Sequence, residues 1–432
     1  MERILAEILV TIYIIFNIKI IIQYYREKDG IFQMPFMMGI VCLGVIVPQL
    51  LSLYNISYLR NISLIKLCVV LISCNWGFYY GFSKGRLHRI KQFTLIDLNI
   101  DKIKYLILIM AIIGCYFNLK NANRASIGGL EGAERASFLI NNLLTSFFSY
   151  AAIFSLIKCI QKKSLKNIYF IIFISYCSLQ LVTILAGARR SYVVNIAFLL
   201  AFLIYNIYPS KKKIVKRCIL ILFLAGCFIS PSISIIRTYL NSDTSLQNIN
   251  YIETFKKSFT HKIDLDVGQD VYNCAKGIEY CQTNNLYSYA ADLWNGFVNV
   301  YIPRFLIGEE AKKNMKIDTG YNDFIEQITH NITTMTGYFD AFAAFSFGGF
   351  IIFIGIGYFS GILFKFSNYS SLYQLTYIAL LTKIHSLFSH GIQYYLNVIE
   401  SMIFLLLPLI VLYISRKKLT LILKKNELRC NQ

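Results

Sequence analysis

Long apolar stretches alternate with short polar breaks along most of this chain. Runs such as MPFMMGIVCLGVIVPQLL (Met34 to Leu51) and FIIFISYCSLQLVTILAG (Phe170 to Gly187) approach the roughly 20 apolar residues that carry a helix across the hydrocarbon core of a bilayer. Windows of that kind predict helices near 4–23, 34–54, 62–82, 103–119, 138–158, 167–186, 191–208 and 214–236. After a long polar segment, further helices are predicted near 338–364, 371–389 and 394–415. The expected architecture is an all-α, polytopic integral membrane protein of about 11 transmembrane helices. It divides into an N-terminal helix bundle (1–236), a long extracytoplasmic loop with interfacial helices (237–337), and C-terminal helices ending in a basic cytoplasmic tail (338–432).

Composition strengthens this reading. Apolar residues make up 56% of the chain and charged residues 15%, too few ionic side chains to cover a water-facing surface, so lipid is the expected solvent. The formal charge of +20 does not point to nucleic acid, because Lys and Arg collect in short loops rather than on one basic arm or face. Lys84, Arg86, Arg89, Lys91, Lys102 and Lys104 fill one loop. Lys162, Lys163 and Lys166 fill the next but one, and Lys211, Lys212, Lys213, Lys216 and Arg217 the next but one again. The tail adds Arg416, Lys417, Lys418, Lys424 and Lys425. Under the positive-inside rule these segments are cytoplasmic, which places the N-terminus and residues 237–337 outside. The first apolar stretch has no small-residue cleavage pattern and is read as a retained helix.

A loop of roughly 100 residues without structure would be unusual, so function is expected there. Its apolar run from Tyr287 to Gly308 is interrupted by Asp292, Asn295, Pro303 and Arg304, which predicts an interfacial or re-entrant helix ended by Pro303. Most of the 11 cysteines lie inside apolar spans and read as small hydrophobes. Cys274 and Cys281, in the loop, could pair only if the segment between them is not a regular helix.

Basic residues on the outer side break the charge rule and are the sharpest chemical signal. Arg189 and Arg190 occupy the short outer turn between the sixth and seventh helices, and Arg237 closes the eighth. Guanidinium forks suit phosphate and diphosphate oxygens. With Arg304 they form the candidate diphosphate-binding set; the alternatives are snorkelling to headgroups or pairing with loop acids. A second group, Asp340, Lys383, His385, His390 and Glu400, falls toward the outer ends of the last three helices. Ionisable groups in such places imply a hydrated outer cavity, and Asp340 and His390 are the candidates for a base that deprotonates a hydroxyl. His261 and His330 are weaker candidates.

The aromatic residues Tyr287, Tyr289, Trp294, Phe297 and Tyr301 would either stack on sugar faces or form an interfacial belt; Trp294 is read as belt and the tyrosines stay open. The glycines between Thr336 and Gly361 read as helix-packing positions. The mirrored broken helices common in ion-coupled carriers are not evident.

Gly187 to Arg190, Arg237, Ile302 to Arg304, Thr336 to Asp340 and Phe347 to Gly349, in that order along a many-helix chain, resemble the Wzy oligosaccharide repeat-unit polymerases of O-antigen and capsule. The layout covers most of the chain. The resemblance implies a GT-C-like, metal-independent glycosyltransferase of the bacterial inner membrane. It would transfer a growing glycan from undecaprenyl diphosphate to a new lipid-linked repeat unit, with no cofactor and with a chain-length regulator as a partner protein. Asp264 and Asp266 match a metal motif by letter only. The rival readings are an O-antigen ligase and a flippase of lipid-linked oligosaccharides.

Overall fold

The computed structural model describes residues 2–53, 61–88, 93–99, 102–122, 132–187, 190–221, 270–302, 307–318, 335–406 and 414–419, with Pro408 and Val411. The first part of the chain contributes α1 (Glu2–Arg26), α2 (Met34–Val41), α3 (Val47–Leu53), α4 (Asn61–Leu87), α5 (Lys104–Ala122), α6 (Gly132–Lys162), α7 (Ile168–Gly187), α8 (Arg190–Ile207) and α9 (212–221). A π-helical turn, Cys42–Ile46, joins α2 to α3. The segment between the apolar blocks supplies α10 (Asp270–Asn284), α11 (Ala291–Tyr301) and α12 (Glu309–Asn314). The last block supplies α13 (Gly337–Phe345), α14 (Phe350–Ser367), α15 (Ser371–Thr382), α16 (Ile384–Ser389) and α17 (Ile392–Ser401). Among the described residues, five helical stretches are long and apolar enough to cross a membrane: Glu2–Arg26, Met34–Leu51, Asn61–Leu87, Leu144–Lys162 and Gly337–Ser367.

The described residues are all-α as expected, apart from one short sheet. β1 (Phe93–Leu98) and β2 (Ile414–Leu419) form a two-stranded antiparallel sheet, with Phe93 opposite Leu419 and Leu98 opposite Ile414. It joins the loop after α4 to the C-terminal segment. Ser371 N donates to Asp97 Oδ1 at 2.9 Å, so the sheet lies where α15 begins.

The sheet marks one end of the bundle, and the basic clusters collect there. Arg86 pairs with Glu27 and donates to Gln33 Oε1 at 2.8 Å. Lys216 Nζ donates to the carbonyls of Tyr25 and Glu27 at 3.2 and 2.7 Å, satisfying backbone acceptors left over at the end of α1. Lys365 Nζ donates to the His88 carbonyl. We call this the basic end and its opposite the far end.

A glycine seam holds the centre. Gly77, Gly81 and Gly85 recur at every fourth residue of α4 and meet Phe350, Ile354 and Tyr358 of α14, while Gly357 and Gly361 of α14 meet Phe78 and Phe82 of α4. A Cβ at Gly81 would stand 2.1 Å from the Ile354 carbonyl oxygen, and one at Gly357 2.3 Å from that of Phe78. Small residues at this spacing let backbones touch where lipid supplies no hydrophobic drive for helix association. The sequence reading covered only the α14 side.

The single helix predicted over 338–364 is broken. α13 stops at Phe345, Ser346 takes a positive φ of 52°, and a 3₁₀ turn, Ser346–Gly349, leads into α14. The chain doubles back closely enough that a Cβ on Gly349 would lie 2.0 Å from the Ala341 carbonyl oxygen. The window 371–389 is likewise split, between α15 and α16 at Lys383.

Candidate functional site

The breaks in the last helices set four of the five ionisable residues, Asp340, Lys383, His385 and His390, on neighbouring segments, away from the basic end. Thr336 caps α13, its hydroxyl accepting the Phe339 N–H at 3.3 Å, and fixes the first turn that carries Asp340. Asp340 Oδ2 accepts the Ile392 N–H at 2.7 Å. Ile392 is the first residue of α17, so the carboxylate takes up one of the backbone donors that a helix start leaves unpaired. Gly391 enables this contact. Its φ is +133°, and a Cβ there would stand 2.8 Å from Asp340 Oδ2.

His385 and His390 sit on either end of α16 with rings edge to face, 5.9 Å between centroids. Ser389 Oγ donates to the His385 carbonyl at 2.8 Å and lies 2.6 Å from His390 Nδ1. A serine hydroxyl has one proton to give. With that proton on the carbonyl, the hydroxyl accepts from His390 Nδ1–H, which leaves Nε2 of the neutral ring with its lone pair. Lys383 is exposed beside them, and its charge acts on both imidazoles.

Asp292, in the first turn of α11, lies close enough to Asp340 for the two carboxylates to repel. Burial raises its carboxyl above the ordinary range. Ser288 N donates to the Ala343 carbonyl at 2.8 Å, tying this segment to α13. In the sequence Asp292 reads only as an interruption of the apolar run from Tyr287 to Gly308, and that place inside the run was the available signal.

Glu400 belongs to a different neighbourhood. It stands about 12 Å along the axis of α17 from Ile392, at 1.5 Å per residue. Gln393 Nε2 donates to both of its oxygens, at 3.2 and 3.1 Å, and to Asn397 Oδ1 at 3.1 Å.

A buried polar network beneath Asp340 was not anticipated. Tyr338 OH donates to Asn75 Oδ1 at 2.7 Å and lies 3.4 Å from Tyr13 OH and 3.3 Å from Cys42 Sγ. Asn75 Nδ2 donates to Asn17 Oδ1 at 3.1 Å. The ring of Tyr338 stacks on Phe353 at 5.6 Å between centroids. Tyr338 thus clamps α13 to α1, α4 and the π turn, two residues from the carboxylate. Nor was Lys66 of α4 anticipated, a basic residue far from the basic end that donates to the neutral Gln282 of α10.

Cys274 and Cys281 are free and buried on one regular helix, α10. Two turns of helix separate their Cα atoms by about 10 Å, beyond the reach of a disulfide. Burial pushes both thiols up to about 12.

Of the arginines proposed for a diphosphate, Arg190 opens α8, and its side chain is outside the described residues. Arg189, Arg237 and Arg304 lie outside them entirely, as do Asp264, Asp266, His261 and His330. Among the described residues, no three His, Cys, Asp or Glu side chains gather as a metal site would require. The chain gives no match to any protein-family description, any curated protein or any solved structure.

Proposed function

We propose that this chain is a Wzy-type polymerase of the bacterial inner membrane, with about 11 spans and its basic end in the cytoplasm. It joins undecaprenyl-diphosphate-linked repeat units of O-antigen, capsule or a related exopolysaccharide on the outer face. The observation that carries the reading is a buried carboxylate, Asp340, fixed on the Ile392 N–H, with the imidazole of His390 one residue before the Gly391 that adjoins that carboxylate, its Nδ1 held by Ser389, both set apart from the basic clusters. A hydroxyl of the acceptor sugar forms the new bond to the anomeric carbon of the donor while the bond from that carbon to the diphosphate breaks. The hydroxyl proton passes to Asp340 or His390, and the diphosphate leaves with the bonding pair. Arg190 and Arg237, assisted by Arg189 and Arg304, hold that developing charge, so electrostatic stabilisation supplies much of the rate. Lys383 and His385 complete the wall of the site, and a chain-length regulator is the expected protein partner.

The test is a reaction of purified protein with synthetic polyprenyl-diphosphate repeat units in the presence of a chelator. A ladder of products, lost in Asp340→Asn and Arg237→Ala proteins that still fold, supports the polymerase. No ladder from folded protein given its native unit removes the reading.

A flippase of the same lipid-linked sugars is the second reading. The breaks at Ser346–Gly349, Lys383 and Gly391 favour it, since discontinuous helices line the sites of many carriers. Movement of labelled lipid-linked units across vesicles without bond formation would select it.

A further inference from the structure

We infer that the aromatic face of α11, together with the polar row of α17, is a platform for the sugar rings of an oligosaccharide. Trp294, Phe297 and Tyr301 form a continuous ladder, with ring centroids 5.7 Å apart at each step and planes inclined by 24° and 29°. Sugar rings present C–H groups with partial positive charge, and the negative face of an aromatic ring attracts them. Trp294 is 45% exposed, so the end of the ladder is open to a ligand. At the other end Tyr301 OH donates to the Asn397 carbonyl at 3.1 Å, which delivers the ladder to the Gln393, Asn397 and Glu400 row. In this row, spaced at i, i+4 and i+7 on one helix, the Gln393 side chain lies against Gly296 and bridges Asn397 and Glu400, whose polar groups suit the hydroxyls of a sugar. Glu400 keeps acceptor capacity beyond the Gln393 amide.

The ladder is also held rigid, which a lipid-facing belt does not need. Trp294 Nε1 donates to the Met315 carbonyl at 2.8 Å. Asn295 exchanges two hydrogen bonds with Ile317, at 2.8 and 2.9 Å. Lys312 Nζ donates to the carbonyls of Asn299 and Ile302 at 3.0 and 2.6 Å, closing the end of α11. In an interfacial belt the indole N–H faces headgroups; here a protein carbonyl takes it. The carboxylate of Glu400 beside α11 repels headgroup phosphates but accepts sugar hydroxyls.

This platform rests on the glycan-handling part of the function proposed above. Its test separates the two. The chain has two tryptophans, so Trp76→Phe leaves Trp294 as the sole indole reporter in full-length protein held in nanodiscs. The probe is the soluble repeat-unit oligosaccharide released by mild acid from the surface glycan of the source cells. Saturable change in Trp294 emission is expected, with affinity lowered about tenfold by Glu400→Gln or Tyr301→Ala, the scale of one lost aromatic or hydrogen-bonded contact. In the Trp76-containing protein, calorimetry should show Trp294→Phe binding nearly as the parent and Trp294→Ala about tenfold weaker. Emission that ignores the oligosaccharide yet is quenched by brominated lipid would make the ladder a membrane belt and overturn the platform. A protein that lengthens repeat units while Trp294 stays silent would remove the platform and leave the polymerase. One that binds the probe but makes no product would keep the platform and remove the polymerase.

Discussion

Asp340 and Ile392 are 52 positions apart in the chain, and the carboxylate of one holds the backbone N–H of the other at 2.7 Å. Asp340→Asn keeps an oxygen for that N–H but cannot take a proton. Polymer formation should fall by at least about a hundredfold, the lower bound for loss of an acid–base group, with the thermal midpoint unchanged. Gly391→Ala should instead lose stability, by about 1–3 kcal/mol for a side chain forced into glycine-only backbone space. Full polymer from Asp340→Asn would remove Asp340 from the chemistry.

His390 depends on Ser389 for its tautomer. His390→Gln should abolish product, whereas Ser389→Ala should lower the rate less and alter its pH profile, because the ring can then carry its proton on either nitrogen. Ser389→Thr should restore the parent profile. A profile identical in all three serine-site proteins would show that the hydroxyl does not orient the ring.

Removing the Tyr338 hydroxyl leaves Asn75 Oδ1 short of a donor in a buried network. Tyr338→Phe should cost about 1–3 kcal/mol. Adding Asn75→Leu to it should cost less than the sum of the two single changes, since each removes the other's partner. Additive losses in a thermal-unfolding cycle would mean the two groups do not interact.

Asp292 supplies a pH test whose sign is fixed by its raised carboxyl. As pH rises through about 4, the unfolded chain ionises first, so stability is lost up to the higher native value and stays low above it. Asp292→Asn escapes that loss. Its thermal midpoint should exceed the parent's at pH 7, and the difference should shrink as the pH falls through about 4. A difference independent of pH would show that the group is solvated.

The seam between α4 and α14 predicts a sharp contrast. Gly81→Leu must displace backbone and should cost upwards of about 1–3 kcal/mol or prevent folding. Gly355→Ala, where a Cβ would meet nothing within 4 Å, should leave the melting temperature unaltered. Equal effects at the two positions would deny the close approach.

The helical character was legible because bilayer length imposes long apolar windows, and Asp340 stood out as a carboxylate among Phe and Ala, although an acid in the first turn of a helix also has a purely structural reading. The breaks were not. Ser346 is an ordinary residue with a positive φ at the point where the chain doubles back and Gly349 meets Ala341, a contact that no window records. Tyr338, Asn75 and Cys42 each pass for core residues in one dimension, and only the crossing of three helices makes them a network. The strand pair joins the segment after α4 to the segment after α17, a long-range pairing that no local window records. Asp292 was visible but had no partner until α11 was set beside α13.

The glycine seam also limits how this molecule can move. With backbones touching at every fourth residue, α4 and α14 have no smooth path past one another: the next register that restores contact lies one helical turn away, about 5.4 Å. The pair acts as a keel. Rearrangement that admits the substrate proposed above would therefore fall to the segments between the breaks at Ser346, Lys383 and Gly391, which carry His385 and His390 and adjoin Asp340, so opening that site would also disassemble it.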